Sequence, residues 1–246
     1  MTIQINKVAP KNALQWLSRA WVLFKEQPGL WMQSAFFMFA AMIASGLLQK
    51  FGMLLFALVH PFLMAGFYHM ALNAKNGVNS PFSDLFCAFK DQRIRKVLLQ
   101  LGLVSFGLSI LLTPLSPDFY LAMTTGEQPD PQATLLFSLI NILSSMLFYY
   151  AVPIAYFYHE QDFLVIMKTS FMACLHNLPA LFVFSILSLG LGLATFPTMG
   201  LGMIIVAPWL MLAGYLSFSD ILCPDLPDDK NGEDSSNGDD DFTFTV

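Results

Sequence analysis

From Leu30 to Leu48 the chain carries no charged side chain. A helix of that length, rising about 1.5 Å per residue, covers most of the roughly 30 Å hydrocarbon core of a bilayer. Residues 52–74, 97–114, 134–157, 179–196 and 199–217 share the property. Inside a membrane every backbone N–H and C=O must find its partner within the protein, so each run is expected to be a helix. A transmembrane barrel would alternate apolar and polar residues in segments of about ten, and these runs do not alternate. Composition agrees: 12% of residues are charged, against about 25% in soluble chains, and mean hydropathy is +0.59. The expected fold class is an all-α, polytopic transmembrane helical bundle of six spans.

The first span follows an amphipathic stretch, Asn12–Gln27, in which Leu14, Leu17, Trp21 and Phe24 share one helical face and Arg19, Lys25 and Glu26 the other. Pro28-Gly29 breaks the helix before the span begins. The unit reads as an interfacial helix lying on the membrane, an elbow, and a spanning helix. A second copy is expected at Ser80-Pro81, an N-cap followed by proline at the first helical position, with Phe82, Leu85, Phe86 and Phe89 at helical spacing. A third starts near Gln161, with Phe163, Met167, Phe171 and Cys174 as the stripe and His176-Asn177-Leu178-Pro179 as the elbow. Aligning Pro28 with Pro179 also pairs Leu30 with Leu181 and Trp31 with Phe182. The pattern suggests a three-fold helix-plus-hairpin repeat, with chance hydrophobic likeness as the competing explanation. The short links Gln49-Lys50 and Pro197-Thr198 require antiparallel hairpins.

All twelve lysines and arginines except Lys50 fall on one side of this topology. By the positive-inside rule both termini are expected in the cytoplasm, and the opposite Leu115–Ala133 loop carries only acidic charges, Asp118, Glu127 and Asp130. The N-terminus lacks the compact basic start, short apolar core and small-residue cleavage site of a signal peptide, so the first span is expected to act as an uncleaved anchor. Cys87, Cys174 and Cys223 show no CxxC or CxxH spacing. On the cytoplasmic side they stay reduced, and they read as filler.

Residues 1–218 form the expected membrane domain. Residues 219–246 carry nine acidic residues against Lys230, amid Asn, Ser, Gly and Pro, and are expected to be a disordered cytoplasmic tail. Its end, Phe242-Thr243-Phe244-Thr245-Val246, alternates like a strand and could add to a partner's sheet edge.

No Asp, Glu, Lys or Arg lies within the spans, where such residues usually mark transport or catalysis. His60, His69, Gln33, Gln100, Asn141 and a few serines remain. His60 precedes Pro61 in span two; it reads as a proton relay or ligand contact or, more simply, as a neutral imidazole bonded to a neighbouring helix. Asn141 suits the same interhelical role. His159-Glu160 starts like a zinc-protease motif, but Phe163 stands where the second ligand belongs. Gly190-Leu-Gly192 and Gly200-Leu-Gly202 lack the strand–turn–helix context of a nucleotide loop and read, with Ala40 and Ala44, as small residues that let helices approach. Trp16, Trp21 and Trp31 read as an interfacial aromatic belt on one side, Phe119 and Tyr120 on the other. Arg93, Arg95 and Lys96 form a basic cluster that could bind anionic lipid headgroups at about 1 kcal/mol per charge. No residue pattern suggests a cofactor, a metal or a nucleic-acid partner.

Ala20-Trp21-x-x-Phe24-x-x-x-Pro28-x-x-Trp31 is one marked segment. Ser170-Phe171-x-Ala173-Cys174-x-x-Asn177 is another, followed by Pro208, Tyr215 and Asp220. Together they resemble an uncharacterised family of six-helix inner-membrane proteins of Gram-negative bacteria. More loosely, the arrangement is similar to the membrane domain fused to some glycerophosphodiester phosphodiesterases. The likeness spans roughly residues 10–220 and implies fold and topology. It brings no catalytic residue, since the phosphodiesterase chemistry belongs to a separate soluble domain.

The function expected is a non-enzymatic membrane scaffold or accessory protein that contacts membrane lipids and engages a protein partner through its acidic tail. The alternative is a transporter or lipid-handling protein, in which spans kinked at Pro61, Pro153 and Pro208 open a path.

Overall fold

The structure, a computed structural model, describes residues 3–112, 124–126, 130–222 and 244–245. In chain order come β1 (Gln4–Ile5), α1 (Asn12–Glu26), α2 (Pro28–Leu47), α3 (Gln49–Lys75), a 3-10 helix (Phe82–Phe89) and α4 (Gln92–Leu112). Then follow α5 (Pro131–Phe148), α6 (Ala151–Phe157), α7 (Phe163–His176), α8 (Leu178–Leu193), a 3-10 turn (Phe196–Thr198), α9 (Met203–Leu222) and β2 (Phe244–Thr245). The fold is all-α. Among the described residues six helical stretches are long and apolar enough to cross a membrane: Pro28–Leu47, Phe51–Lys75, Gln92–Leu112, Thr134–Phe157, Leu178–Thr198 and Met203–Leu222. Large apolar side chains stay exposed at the first hairpin (Leu47, Phe51) and the last (Phe196, Met199). That distribution suits a hydrocarbon solvent and would cause aggregation in water.

A short helix precedes each pair of long ones, in the order expected of three modules. The second short element differs from expectation. It is a 3-10 helix, and Pro81, not Ser80, holds its N-cap position at φ −75°, ψ 157°. Eight residues gain little from α-helical cooperativity, whereas 3-10 geometry serves short pieces. Leu85 and Ala88, three apart, are its buried residues.

The chain divides into two compact units, one of residues 1–35, 73–79 and 172–246, the other of 36–72 and 80–171. In the first, α1 packs on α9 and α8. Its buried stripe is Ala13, Trp16, Leu17, Ala20 and Phe24, a face rotated from the expected one, and Leu14 is exposed. Trp16 and Trp31 do not form an aromatic belt. Both are fully buried, because each indole N–H reaches an internal acceptor: Trp16 donates to Asp220 Oδ2 at 2.7 Å and Trp31 to the Leu23 carbonyl at 3.1 Å. Trp21, partly exposed, meets Trp209 at 4.9 Å. Phe119 and Tyr120 lie outside the described residues.

Helix α9 does not stop at residue 218. It runs to Leu222, with Ser219, Ile221 and Leu222 buried, because the first residues assigned to the acidic tail still supply an apolar face and an acceptor for Arg19. Residues 223–243, with Cys223 and Lys230, lie outside the described set. Beyond them Phe244–Thr245 pairs antiparallel with Gln4–Ile5 of the same chain.

In the second unit, backbone approach is set by glycines other than those expected. A Cβ on Gly66 would overlap the Leu85 carbonyl, and one on Gly102 the Ala57 carbonyl. Gly190 and Gly192 face open space, and Gly202 faces Thr195. Gly200, at φ +83°, serves the last hairpin turn, where its N–H and that of Thr198 both donate to the Thr195 carbonyl. Ala40 and Ala44 are exposed. A Cβ at Gly190 or Gly192 would meet nothing within 4 Å, so small size has no contact to serve there.

The fourth span breaks at Tyr149-Tyr150 between α5 and α6. Pro153 cannot supply the N–H that a continuous helix would need there. Ser170 on α7 repairs the gap: its hydroxyl accepts from the Tyr150 N–H at 3.1 Å and donates to the Met146 carbonyl at 2.9 Å. Ser170 is fully buried. Ser170→Ala orphans both groups away from water, so stability is expected to fall by about 2–3 kcal/mol. Thermal unfolding in micelles should register a midpoint drop of roughly 5–10 °C; a drop under a degree would mean the break needs no such support.

Candidate functional site

Helices α4 and α5 pack together in the second unit and leave a cavity of about 410 Å³ between them. That volume lies in the roughly 300–1,000 Å³ range of small-ligand sites. Its polar lining is Ser105 and Ser109 from α4 and Asn141, Ser144 and Ser145 from α5; Leu108, Leu112, Phe137 and Phe148 complete the walls. Helical periodicity makes the stripe, since 105 and 109 are four apart and 141, 144 and 145 three and four apart. On the other side of α4, Ser105 and Ser109 also border a cavity of about 320 Å³ shared with Met53, Ala57, Phe106 and Ile110.

Each of these polar side chains donates to its own helix. Ser105 donates to the Gly102 carbonyl at 2.9 Å, Ser109 to Ser105 at 2.9 Å, and Asn141 Nδ2 to Phe137 at 2.8 Å. Ser144 donates to Ile140 and Ser145 to Ile142, both at 2.7 Å. Hydroxyls that back-bond in this way are tolerated in an apolar span. Among the described residues no charged side chain lines the cavity.

Of the expected site residues, only Asn141 lies here, bonded within its own helix. His60 sits elsewhere on α3, its ring 5.4 Å from Phe56. Arg93 forms a forked pair with Asp91, Nε to Oδ1 at 3.1 Å and Nη2 to Oδ2 at 3.0 Å. That hydrogen bond holds the Asp91 carboxyl below its ordinary range. Arg95 donates to the Phe89 carbonyl at 3.1 Å, and Lys96 is exposed. The basic cluster thus caps the 3-10 helix as well as facing outward.

Two networks were not expected. In the second unit Tyr156 Oη lies 3.1 Å from His69 Nδ1 and 3.5 Å from Cys87 Sγ, tying the 3-10 helix to α3 and α6. Burial pushes the Cys87 thiol up, and the Cys174 thiol up to about 12, so neither is a ready thiolate. In the first unit Asp220 accepts from Trp16 and, through both carboxylate oxygens, from Arg19 at 2.9–3.2 Å. Nearby, Asn177 accepts from the Val8 N–H at 2.8 Å and donates to the Asn6 and Ala173 carbonyls. These groups are saturated by one another and hold the N-terminal segment and α1 against α9. Among the described residues no three of His, Cys, Asp and Glu converge as a metal site.

The serine stripe had a signal in the sequence, the i, i+3, i+4 recurrence of small polar residues inside apolar spans. Of the networks, Asn177 and Asp220 were marked as part of the resembling segments and His69 as a polar residue in a span; their pairing carried no signal, because the members are up to 204 residues apart. Compared with known proteins, the chain matches no family model, no curated protein and no solved structure.

Proposed function

We propose that this chain is a lipid-handling protein of the bacterial inner membrane, with both termini cytoplasmic, and that it acts without chemistry of its own. The observation that carries the reading is the cavity between α4 and α5, where five polar side chains from two apolar spans line one space. A uniformly apolar bundle would need no such stripe, and polar residues at membrane depth commonly line substrate paths. Among the described residues the lining offers hydroxyls and an amide with no base to activate them, which favours binding over catalysis. The one-sided lysines and arginines support the orientation, and the resemblance of the Ala20–Trp31 and Ser170–Asn177 segments supports the compartment.

In nanodiscs of bacterial polar lipid extract, native mass spectrometry is expected to find one lipid retained per wild-type chain. A Ser144→Phe variant, which fills the cavity, should lose it while keeping its helicity. Equal lipid retention by both proteins would overturn the proposal.

An accessory role is the second reading. It draws on β2, which supports a tail able to add as a strand where an edge is offered. Deleting residues 223–246 should then remove a co-purifying protein; an unchanged set of partners would exclude tail docking.

A further inference from the structure

We infer that the α4–α5 cavity selects uncharged amphiphiles whose headgroup donates hydrogen bonds, a diacylglycerol being the simplest member of that class; this rests on the lipid-handling reading above. The reasoning starts from where the protons are. The four serine hydroxyls and one Asn141 N–H are directed at carbonyls of their own helices. The Ser105, Ser144 and Ser145 hydroxyls, each having given its proton to the helix, keep lone pairs for a visitor, and Asn141 adds an amide carbonyl and its second N–H. The stripe is therefore rich in acceptors.

Charge narrows the class further. A phosphate headgroup needs cations or several donors, and among the described residues no Lys, Arg or His lines the cavity. Placing an anion against acceptors in a low-dielectric wall is strongly unfavourable. An ammonium headgroup finds no carboxylate among those residues either. An uncharged headgroup with a free hydroxyl supplies a donor to this acceptor-rich wall, and its acyl chains meet Leu108, Leu112, Phe137 and Phe148.

The shape favours a lipid over a partner's transmembrane helix. Helices dock closely where small residues let backbones approach, yet the exposed faces beside the cavity carry Leu111 on α4 and Leu135, Leu139 and Ile142 on α5. Those side chains hold a helix away from the serines, while a glyceryl unit is slim enough to pass between them.

The test uses the full chain in phosphatidylcholine nanodiscs doped with 1,2-dioleoylglycerol, its 3-O-methyl ether, or dioleoylphosphatidic acid, read by native mass spectrometry. The alcohol is expected to be retained about tenfold more strongly than the ether, the effect of one net hydrogen bond, and phosphatidic acid least. Asn141→Leu combined with Ser144→Ala should remove the preference for the alcohol. Equal retention of alcohol and ether, or a preference for phosphatidic acid, would overturn the donor rule while leaving lipid handling intact. Retention of no lipid at all would sink the lipid-handling reading with it. A stoichiometric protein bound in place of lipid would establish helix docking instead.

Discussion

Asp220→Ala is expected to lower stability by about 3 kcal/mol, a midpoint drop of roughly 6–12 °C in thermal unfolding. The substitution removes the shared acceptor of Trp16 Nε1 and the Arg19 guanidinium. The two donors then fare differently. Trp16 is fully buried, so its N–H loses its acceptor away from water. The Arg19 side chain is 38% exposed, against 11% for Asp220, and can recover hydration. Most of the loss therefore comes from the indole and from the seat of α1 on α9. Asp220→Asn keeps an oxygen for Trp16 and is expected to lose only about 1–2 kcal/mol. A cycle of Arg19→Met with Asp220→Ala should show coupling above about 0.5 kcal/mol. If Asp220→Ala unfolds within a degree or two of wild type, the network is not what holds α1 in place.

Gly66→Ala is the second large effect, at about 3 kcal/mol or more. The added methyl falls on the carbonyl of Leu85, with that of Asp84 close by. Both are backbone, so no rotamer change relieves the overlap. Helix α3 and the 3-10 helix have to separate, which loosens the Phe62–Phe89 stack at 4.7 Å. Gly190→Ala is the matched control. It meets nothing within 4 Å, and replacing glycine in a helix is expected to be neutral or to add up to about 1 kcal/mol. Unfolding the two variants side by side in the same micelle separates close approach from propensity. Equal tolerance at both positions would mean that α3 and the 3-10 helix do not touch as closely as described.

Asn141 was legible as a polar residue in an apolar span, and its companions Ser105, Ser109, Ser144 and Ser145 were visible as serines. What made them a site was the pairing of α4 with α5, which turns two separate stripes toward one cavity. His60 was equally conspicuous in the sequence, yet its position on α3 places it beside Phe56 and away from that cavity.

The sequence by itself determined the solvent, the helices and their order. Apolar runs matched to a bilayer's thickness, and breaks at Pro28 and Asn177, are local properties that any fold of this chain must obey. Only the tertiary structure decided which glycines admit a neighbour, which tryptophans are internal, and that Asp220 belongs to the last helix. Those outcomes depend on contacts such as Trp16 with Asp220, whose members are 204 residues apart. Helical periodicity assigns a residue to a face, but it carries no information about which distant element that face will meet.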